Sequence, residues 1–376
     1  MKTIKRKNIL LKQFLVAGSL ALSTALVMAQ ASNTRTNSGY AQVNLVSDVS
    51  SNAPETDARL LNPWGIVAGA DHVWVNDNHS SLVTAYGPHG RPFQFAISVP
   101  APGGGPGSPT GLALNQTSGF VITNGMKHGP SSFLMATEEG TITAWNQHFS
   151  GSNAVIVVDN SAGGAVYKGL AITRDTNGAP QIYAANFHAG VVDVFDARFH
   201  LVSSFTDANL PVNFAPFNVR AIRGRLFVSF AKQLPPDAHD DQAGPGNGFV
   251  DIFDTDGTLL RQFAAQGPLD SPWGMAVAPR HFGKFSRALL VGNFGDGRIN
   301  AYDLLTGKFL GQLTQPNGDA LEIQGLWGLT FEREEPADRE CEFEAGRLYF
   351  TAGPNGEADG LLGIIHPVSP NFPPTR

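Results

Sequence analysis

Three sets of side chains in this sequence have the types and spacing to do chemistry. The first is Asn76-Asp77-Asn78-His79, Glu138-Glu139, Asn186-Phe187-His188 and Asn293-Phe294-Gly295-Asp296. Counted back from the turn glycine that follows, Asp77, Asn186 and Asn293 take one equivalent position, and His79 and His188 another. Oxygen ligands around an axis suit Ca²⁺ or another hard divalent cation. Paired imidazoles favour a transition metal instead. Asp and Asn also bond their own backbone in hairpin turns without any ligand, and that is the simpler reading.

The second set precedes a recurrent glycine: Trp64, Thr110, Lys168, Phe217, Trp273 and Trp327. Facing a common opening, these side chains would form an aromatic funnel with one cation, able to stack on a sugar, an aromatic or a planar cofactor. Aromatic repeats more often report packing between the repeating units. The third set is His239-Asp240-Asp241, inside the segment Lys232 to Asn247. One imidazole and two carboxylates can hold a metal or move a proton, and His239 and His188 are the candidate bases. A solvated loop would have the same composition.

The elements that position these residues repeat. The starts are Pro63-Trp64-Gly65-Ile66, Pro109-Thr110-Gly111-Leu112, Tyr167-Lys168-Gly169-Leu170, Pro216-Phe217-Asn218-Val219, Pro272-Trp273-Gly274-Met275 and Leu326-Trp327-Gly328-Leu329. The glycine position, held by Asn218 in the fourth copy, advances by 46, 58, 49, 56 and 54 residues. A second half repeats with it: Gly140-Thr141-Ile142-Thr143-Ala144-Trp145, Gly190-Val191-Val192-Asp193-Val194-Phe195, Gly248-Phe249-Val250-Asp251-Ile252-Phe253 and Gly297-Arg298-Ile299-Asn300-Ala301-Tyr302. Ser81-Leu82-Val83-Thr84-Ala85-Tyr86 is a weaker copy. These are period-2 strands bounded by turns.

Four strands per unit at this period predict an all-β, six-bladed propeller with four-stranded blades. The strand Gln42 to Val49 has no blade of its own, and the last unit, Leu348 to His366, is one strand short. The N-terminal strand is therefore expected to complete blade six and remove two open edges. In this arrangement the starts of the innermost strands and the turns between second and third strands converge on one rim. The segment Lys232 to Asn247 expands one of those turns, where a lid or binding loop would sit.

Composition excludes several classes. With 376 residues, 42% apolar and 15% charged, the chain buries a large core and is not disordered. The single cysteine, Cys341, excludes a disulfide framework and cysteine-based zinc or iron–sulfur sites. A net charge of −6 gives no support for nucleic-acid binding. Residues 1–31 read as a secretory signal peptide, with Lys2, Lys5, Arg6, Lys7 and Lys12, an apolar run from Phe14, and Ala29-Gln30-Ala31 at the exit. The expected layout is a flexible segment over 32–41, the propeller over 42–367 and a Pro-rich tail over 368–376. No membrane span is expected after cleavage, so a periplasmic or secreted location follows. The acidic run Glu332 to Glu344 reads as a solvated loop on the opposite rim. No G-x-S-x-G, H-E-x-x-H or Walker A motif is present.

Asn62-Pro63-Trp64-Gly65, Val166-Tyr167-Lys168-Gly169-Leu170, His239-Asp240-Asp241 with Gly244-Pro245-Gly246-Asn247-Gly248, Val291-Gly292-Asn293-Phe294-Gly295-Asp296-Gly297 and Thr351-Ala352-Gly353-Pro354 together resemble an uncharacterised family of exported bacterial proteins. That family is grouped with the PEP-CTERM conserved hypothetical proteins. The resemblance implies an NHL-like six-bladed propeller and supplies no activity. More distantly, the layout is similar to the gluconolactonase type of propeller. That likeness implies a divalent metal in the channel, with Asn186 and Asn293 as ligands and Glu138 or Asp77 as the acid.

Two functional readings follow. The first is a binding or scaffold module that recognises a small molecule, a glycan or an envelope protein at the rim. Trp64, Lys168, Phe217, Trp273, Trp327, His239, Asp240 and Asp241 are its candidate contacts. The second is a metal-dependent, lactonase-like hydrolase. There Asp77, Asn186 and Asn293 would hold the ion, its bound water would attack a carbonyl, and His188 or His239 would act as base. The absence of a nucleophile motif favours the first.

Overall fold

The computed structural model describes residues 38–69, 72–331 and 346–368. The proposed signal peptide, the acidic run with Cys341, and the tail beyond Val368 lie outside the described residues. Among those described there is no α-helix, and no helix long and apolar enough to cross a membrane.

The alternating segments form six four-stranded antiparallel blades, as the repeat predicts, and the sixth carries an added short parallel strand, Glu55–Thr56, on its outer edge. The inner strands are Pro63–Ala68, Pro109–Leu114, Tyr167–Arg174, Phe214–Ile222, Pro272–Val277 and Leu326–Phe331. Blade six is completed from the other end of the chain. Gly39–Ser47 pairs antiparallel with Leu361–Val368, Tyr40 facing Pro367 and Ser47 facing Leu361. This strand starts earlier than the alternation suggested, because Tyr40 is buried against blade five. There it stacks near Phe282 and Phe285 and donates its hydroxyl to the Phe282 carbonyl at 3.0 Å. Blade two carries an extra hairpin, Val121–Asn124 with Lys127–Pro130.

The core divides into one apolar cluster per blade interface. Leu112, Phe133 and Met135 meet blade one, for example, while Leu134, Ile142 and Tyr167 join blades two and three. Such burial is non-directional and scales with area, so closing the ring covers both faces of every blade.

The ring glycines set how tightly the inner strands approach. A Cβ on Gly65 would lie 2.4 Å from the Thr110 carbonyl oxygen, and one on Gly111 2.5 Å from the Leu170 nitrogen. The same holds for Gly274 against the Trp327 oxygen and Gly328 against the Trp64 oxygen, each at 2.5 Å. Each inner strand thus lies backbone to backbone on its neighbour. Asn218 breaks the pattern, and its amide instead donates to the Trp273 carbonyl at 2.7 Å. The weaker copy is also explained: Ser81, at a turn-glycine position, adopts φ +60° like Gly190 at +72°.

A polar fastener repeats between the second and third strands. Thr84 donates to Asp77 at 2.6 Å, Asn186 donates to Asp193 at 2.9 Å, and Asn293 and Asn300 both donate to the Pro268 carbonyl. Blade four has Phe230 where the others have Asp77, Asn186 and Asn293, as its pairing with Phe249 shows. Asp251, in the position of Thr84 and Asp193, therefore loses its partner. Neither buried oxygen receives a hydrogen bond from an ordinary donor, and burial, with the Asp207 charge and a carboxyl–carboxyl hydrogen bond to Asp207 adding, pushes its pKa up to about 8. A carboxyl raised on folding leaves stability intact below its unfolded pKa near 4 and erodes it as pH rises toward 8. One pKa unit corresponds to about 1.4 kcal/mol. Asp251→Asn is therefore expected to gain about 2 kcal/mol relative to wild type at pH 8.5 and to lose that advantage at pH 4.5. Urea titrations at the two pH values check this; an advantage independent of pH would contradict it.

Candidate functional site

The shared rim gathers polar groups from five blades. Lys168 leads the inner strand of blade three, and Glu138 follows the second strand of blade two. The lysine side chain is 2% exposed, and its ammonium lies 2.5 Å from the Glu138 carboxylate and 3.6 Å from Asp240. It also sits 5.1 Å over the Trp64 ring. Burial pushes the Glu138 carboxyl up, but the Lys168 charge and hydrogen bonds from Lys168 and Asn78 outweigh it and hold the group below its ordinary range.

The blade-four insertion supplies the next groups. It is tied to blade three by Gln233, which donates to the Phe187 carbonyl at 2.6 Å, and by the His188 imidazole, 2.9 Å from the Asp237 carbonyl. So anchored, it reaches toward Glu138 on blade two. His239 Nδ1 lies 2.8 Å from Asp240, which raises the imidazole pKa and lowers that of the carboxyl. Asp241 is turned inward. Burial pushes its pKa up to about 6 against the lowering effect of the Ser271 hydroxyl and the Lys168 charge, and its Oδ2 makes no hydrogen bond of ordinary length.

Blades six and one close the other side. Asn62 donates to Glu357 at 2.6 Å, lies 3.3 Å from His79 Nε2, and accepts the Trp327 indole N–H at 3.0 Å. Burial raises the pKa of Glu357, only partly opposed by the Asn62 hydrogen bond. Asn62 and Glu357 hold positive φ values of 45° and 68°, which turn the chain into the rim.

The aromatic set does converge, but onto itself. Trp64 stacks on Trp327 at 3.5 Å, Phe294 stacks on Trp327 at 3.9 Å, and Trp273 meets both tryptophans edge-on. Phe217 and Phe187 complete the cluster, and Trp64, Phe217, Trp273 and Trp327 are all at most 4% exposed. Instead of the open funnel, which the sequence allowed as the less favoured arrangement, the rings form a plug across the axis, because ring faces gain more from one another than from water. Thr110 belongs to the framework, its hydroxyl donating to the Tyr167 carbonyl at 2.7 Å. Beneath the plug the tunnel narrows to a cavity of about 20 Å³. The indole N–H groups of Trp64 and Trp273 are buried without partners, and the Ser271 hydroxyl faces Asp241.

Asp77, Asn186 and Asn293 each take part in the fastener of their own blade, Asp77 and Asn186 with side chains across the hairpin and Asn293 with the Pro268 carbonyl, not chiefly with their own turn backbone. His188 serves as a latch for the insertion. Among the described residues, three acidic or imidazole groups come together as a metal-ligand set would: Glu138, His239 and Asp240, with ligand atoms within 4.8 Å of one another. Lys168 already occupies the same carboxylate oxygens. A divalent ion a few ångströms from a charged ammonium is repelled by several kcal/mol at about 4 Å. This donor set does not fit such an ion while Lys168 is protonated. Glu357 and the anchoring role of Asn62 were not nominated from sequence. The signal was present: Glu357 lies in the same turn of blade six that supplies Glu138 in blade two.

No family model matches the chain. Two uncharacterised proteins of Acanthamoeba polyphaga mimivirus do match. Protein R648 is 32% identical over 329 residues, covering 85% of this chain and 78% of the viral one. Protein L690 is 33% identical over 329 residues, covering 85% and 84%. The chain belongs to the family of these proteins. The bacterial grouping suggested by the motifs is not what these relatives display, since they are viral. Among solved structures, a protein of unknown function from Bacteroides thetaiotaomicron has a TM-score of 0.52 at 11% identity, covering 88% of this chain and 76% of that one. A luciferin-regenerating enzyme has a TM-score of 0.50 at 11% identity, covering 87% and 95%. These likenesses establish the propeller fold and no more.

Proposed function

We propose that the chain is a binding propeller that takes a small, positively charged, hydrogen-bonding ligand at this rim. The carrying observation is an imbalance of charge. Glu138, Asp240, Asp241 and Glu357 face one lysine and one imidazole, and Glu138 already engages Lys168 while Asp240 engages His239, which leaves Asp241 and Glu357 without a cation of their own. The inward carboxylate of Asp241 meets only the neutral Ser271 hydroxyl and the more distant Lys168 charge, in a largely buried setting where a charge-assisted bond from an ammonium is strongest. The insertion is pinned across the rim by Gln233 and His188, which lessens the ordering needed on binding.

The test is calorimetric titration with glucosamine, choline and spermidine, with glucose as the uncharged control. Saturable binding of a cationic member is expected, weakened about tenfold by Asp241→Asn, which corresponds to about 1.4 kcal/mol. Affinity is expected to rise between pH 5 and 7, because ionised Asp241 is the binding form and its pKa lies at about 6. Glucose bound as tightly as glucosamine, or an amine whose affinity ignores Asp241→Asn, would sink the reading.

A divalent cation on Glu138, His239 and Asp240 is the second reading, favoured by the closeness of their ligand atoms. It requires Lys168 to leave those oxygens. Stoichiometric metal in protein purified without chelator would move the balance to it.

A further inference from the structure

The opposite mouth of the tunnel holds a cation with no hydrogen bond or ion pair among the described residues. Two residues beyond each ring position the inner strands carry Val67, Ala113, Ala171, Arg220, Ala276 and Thr330. Five of the six are small or short, so this layer stays open, and blade four alone sends a long charged chain into it. Val67, Ala113, Ala171, Arg220 and Thr330 line a cavity of about 270 Å³, with apolar walls from Leu114, Ile172 and Phe331. That volume is close to the lower end of ordinary ligand pockets, roughly 300 Å³. Arg220 also borders the constriction above, beside Gly111 and Gly274.

Among the described residues Arg220 makes no hydrogen bond and no ion pair. Loss of water is the sole influence on its pKa, which it lowers. A guanidinium offers five N–H donors in a planar fork that matches a carboxylate. Arg220 is partly exposed into the cavity, so its fork is open to an incoming acceptor. A hydrated inorganic anion would leave the apolar walls uncovered.

We propose that this cavity binds a small amphipathic carboxylate, its head paired bidentately with Arg220 and its apolar body against the walls of blades one, two, three and six. The site is separate from the polar rim: the aromatic plug and the constriction lie between them. Its occupant has the opposite charge to the rim ligand, so the two proposals fail independently.

The test is calorimetric titration of the full chain with octanoate, with octanol as the neutral control. One saturable octanoate site is expected, at least tenfold tighter than octanol. Arg220→Met is expected to lower octanoate affinity at least tenfold and to leave octanol unchanged. Its melting temperature and circular dichroism report whether it is folded. Should it misfold, Arg220→Lys, which keeps the charge and removes the fork, is expected to weaken octanoate several-fold. No saturable octanoate binding overturns the proposal. So does octanoate binding of equal strength in a folded Arg220 variant.

Discussion

Gly111→Val is expected to prevent the ring from closing, and Gly111→Ala to cost about 3 kcal/mol, the upper part of the range for overpacking. A Cβ at this position would lie 2.5 Å from the Leu170 nitrogen and 2.9 Å from the Gly169 carbonyl carbon. Both are backbone atoms of an inner strand that is held on its other side by Asn218. Neither can rotate away as a side chain would. Relief requires blades two and three to separate, which opens the interface of Leu134, Ile142 and Tyr167 and strains closure all round the ring. Gly105→Ala is the control, because a Cβ there meets nothing within 4 Å and its φ is −80°. It should change stability by no more than about 0.5 kcal/mol. Urea unfolding of the three variants decides the matter. Equal stability of Gly111→Ala and Gly105→Ala would mean that the inner strands have slack.

Lys168→Met is expected to lose about 3 kcal/mol at pH 7, the scale for breaking one side of a buried ion pair. The Glu138 carboxylate, 16% exposed, would keep only its bond from Asn78. The pH dependence carries a sign. In the wild type the Glu138 pKa is depressed, so the pair's contribution is present above the unfolded pKa near 4.5 and fades as pH falls through the folded value. Without the lysine, burial dominates and the carboxyl is raised, so the variant should recover stability on acidification. Lys168→Met with Glu138→Gln should restore most of the loss at pH 7, because no buried charge is then left alone. Unfolding measured at pH 5 and pH 7 for the single and double variants separates these outcomes. A single variant with the same deficit at both pH values would show that lost packing, not lost charge, sets the cost.

The relation between sequence and site is clearest at these two residues. Gly111 stands at the centre of a repeated four-residue pattern, and the repeat itself reports that every copy meets the same surroundings. Lys168 breaks the aromatic pattern, which marks it as exceptional without naming its partner. Glu138 is 30 residues away in sequence, and Asn62 and Glu357 are 295 apart. Contacts of that span exist because the ring closes, and no local pattern encodes them.

By itself the sequence determined the six sheets, their order, the rim that inner-strand starts share with the following turns, and the closure of blade six by the N-terminal strand. Those follow from period-2 alternation, turn glycines and unpaired edges, which act over a few residues at a time. Tertiary structure decided the rest. Whether Trp64, Trp273 and Trp327 open to a ligand or stack on one another depends on the tunnel radius, which the ring glycines and Asn218 fix jointly. Whether Asp77 and Asn186 bind a metal or fasten a hairpin depends on Thr84 and Asp193 across the turn. Whether Arg220 finds a counter-ion depends on what five other blades place at its level. Each is a question of distances between segments remote in the chain, and only the closed ring sets those distances.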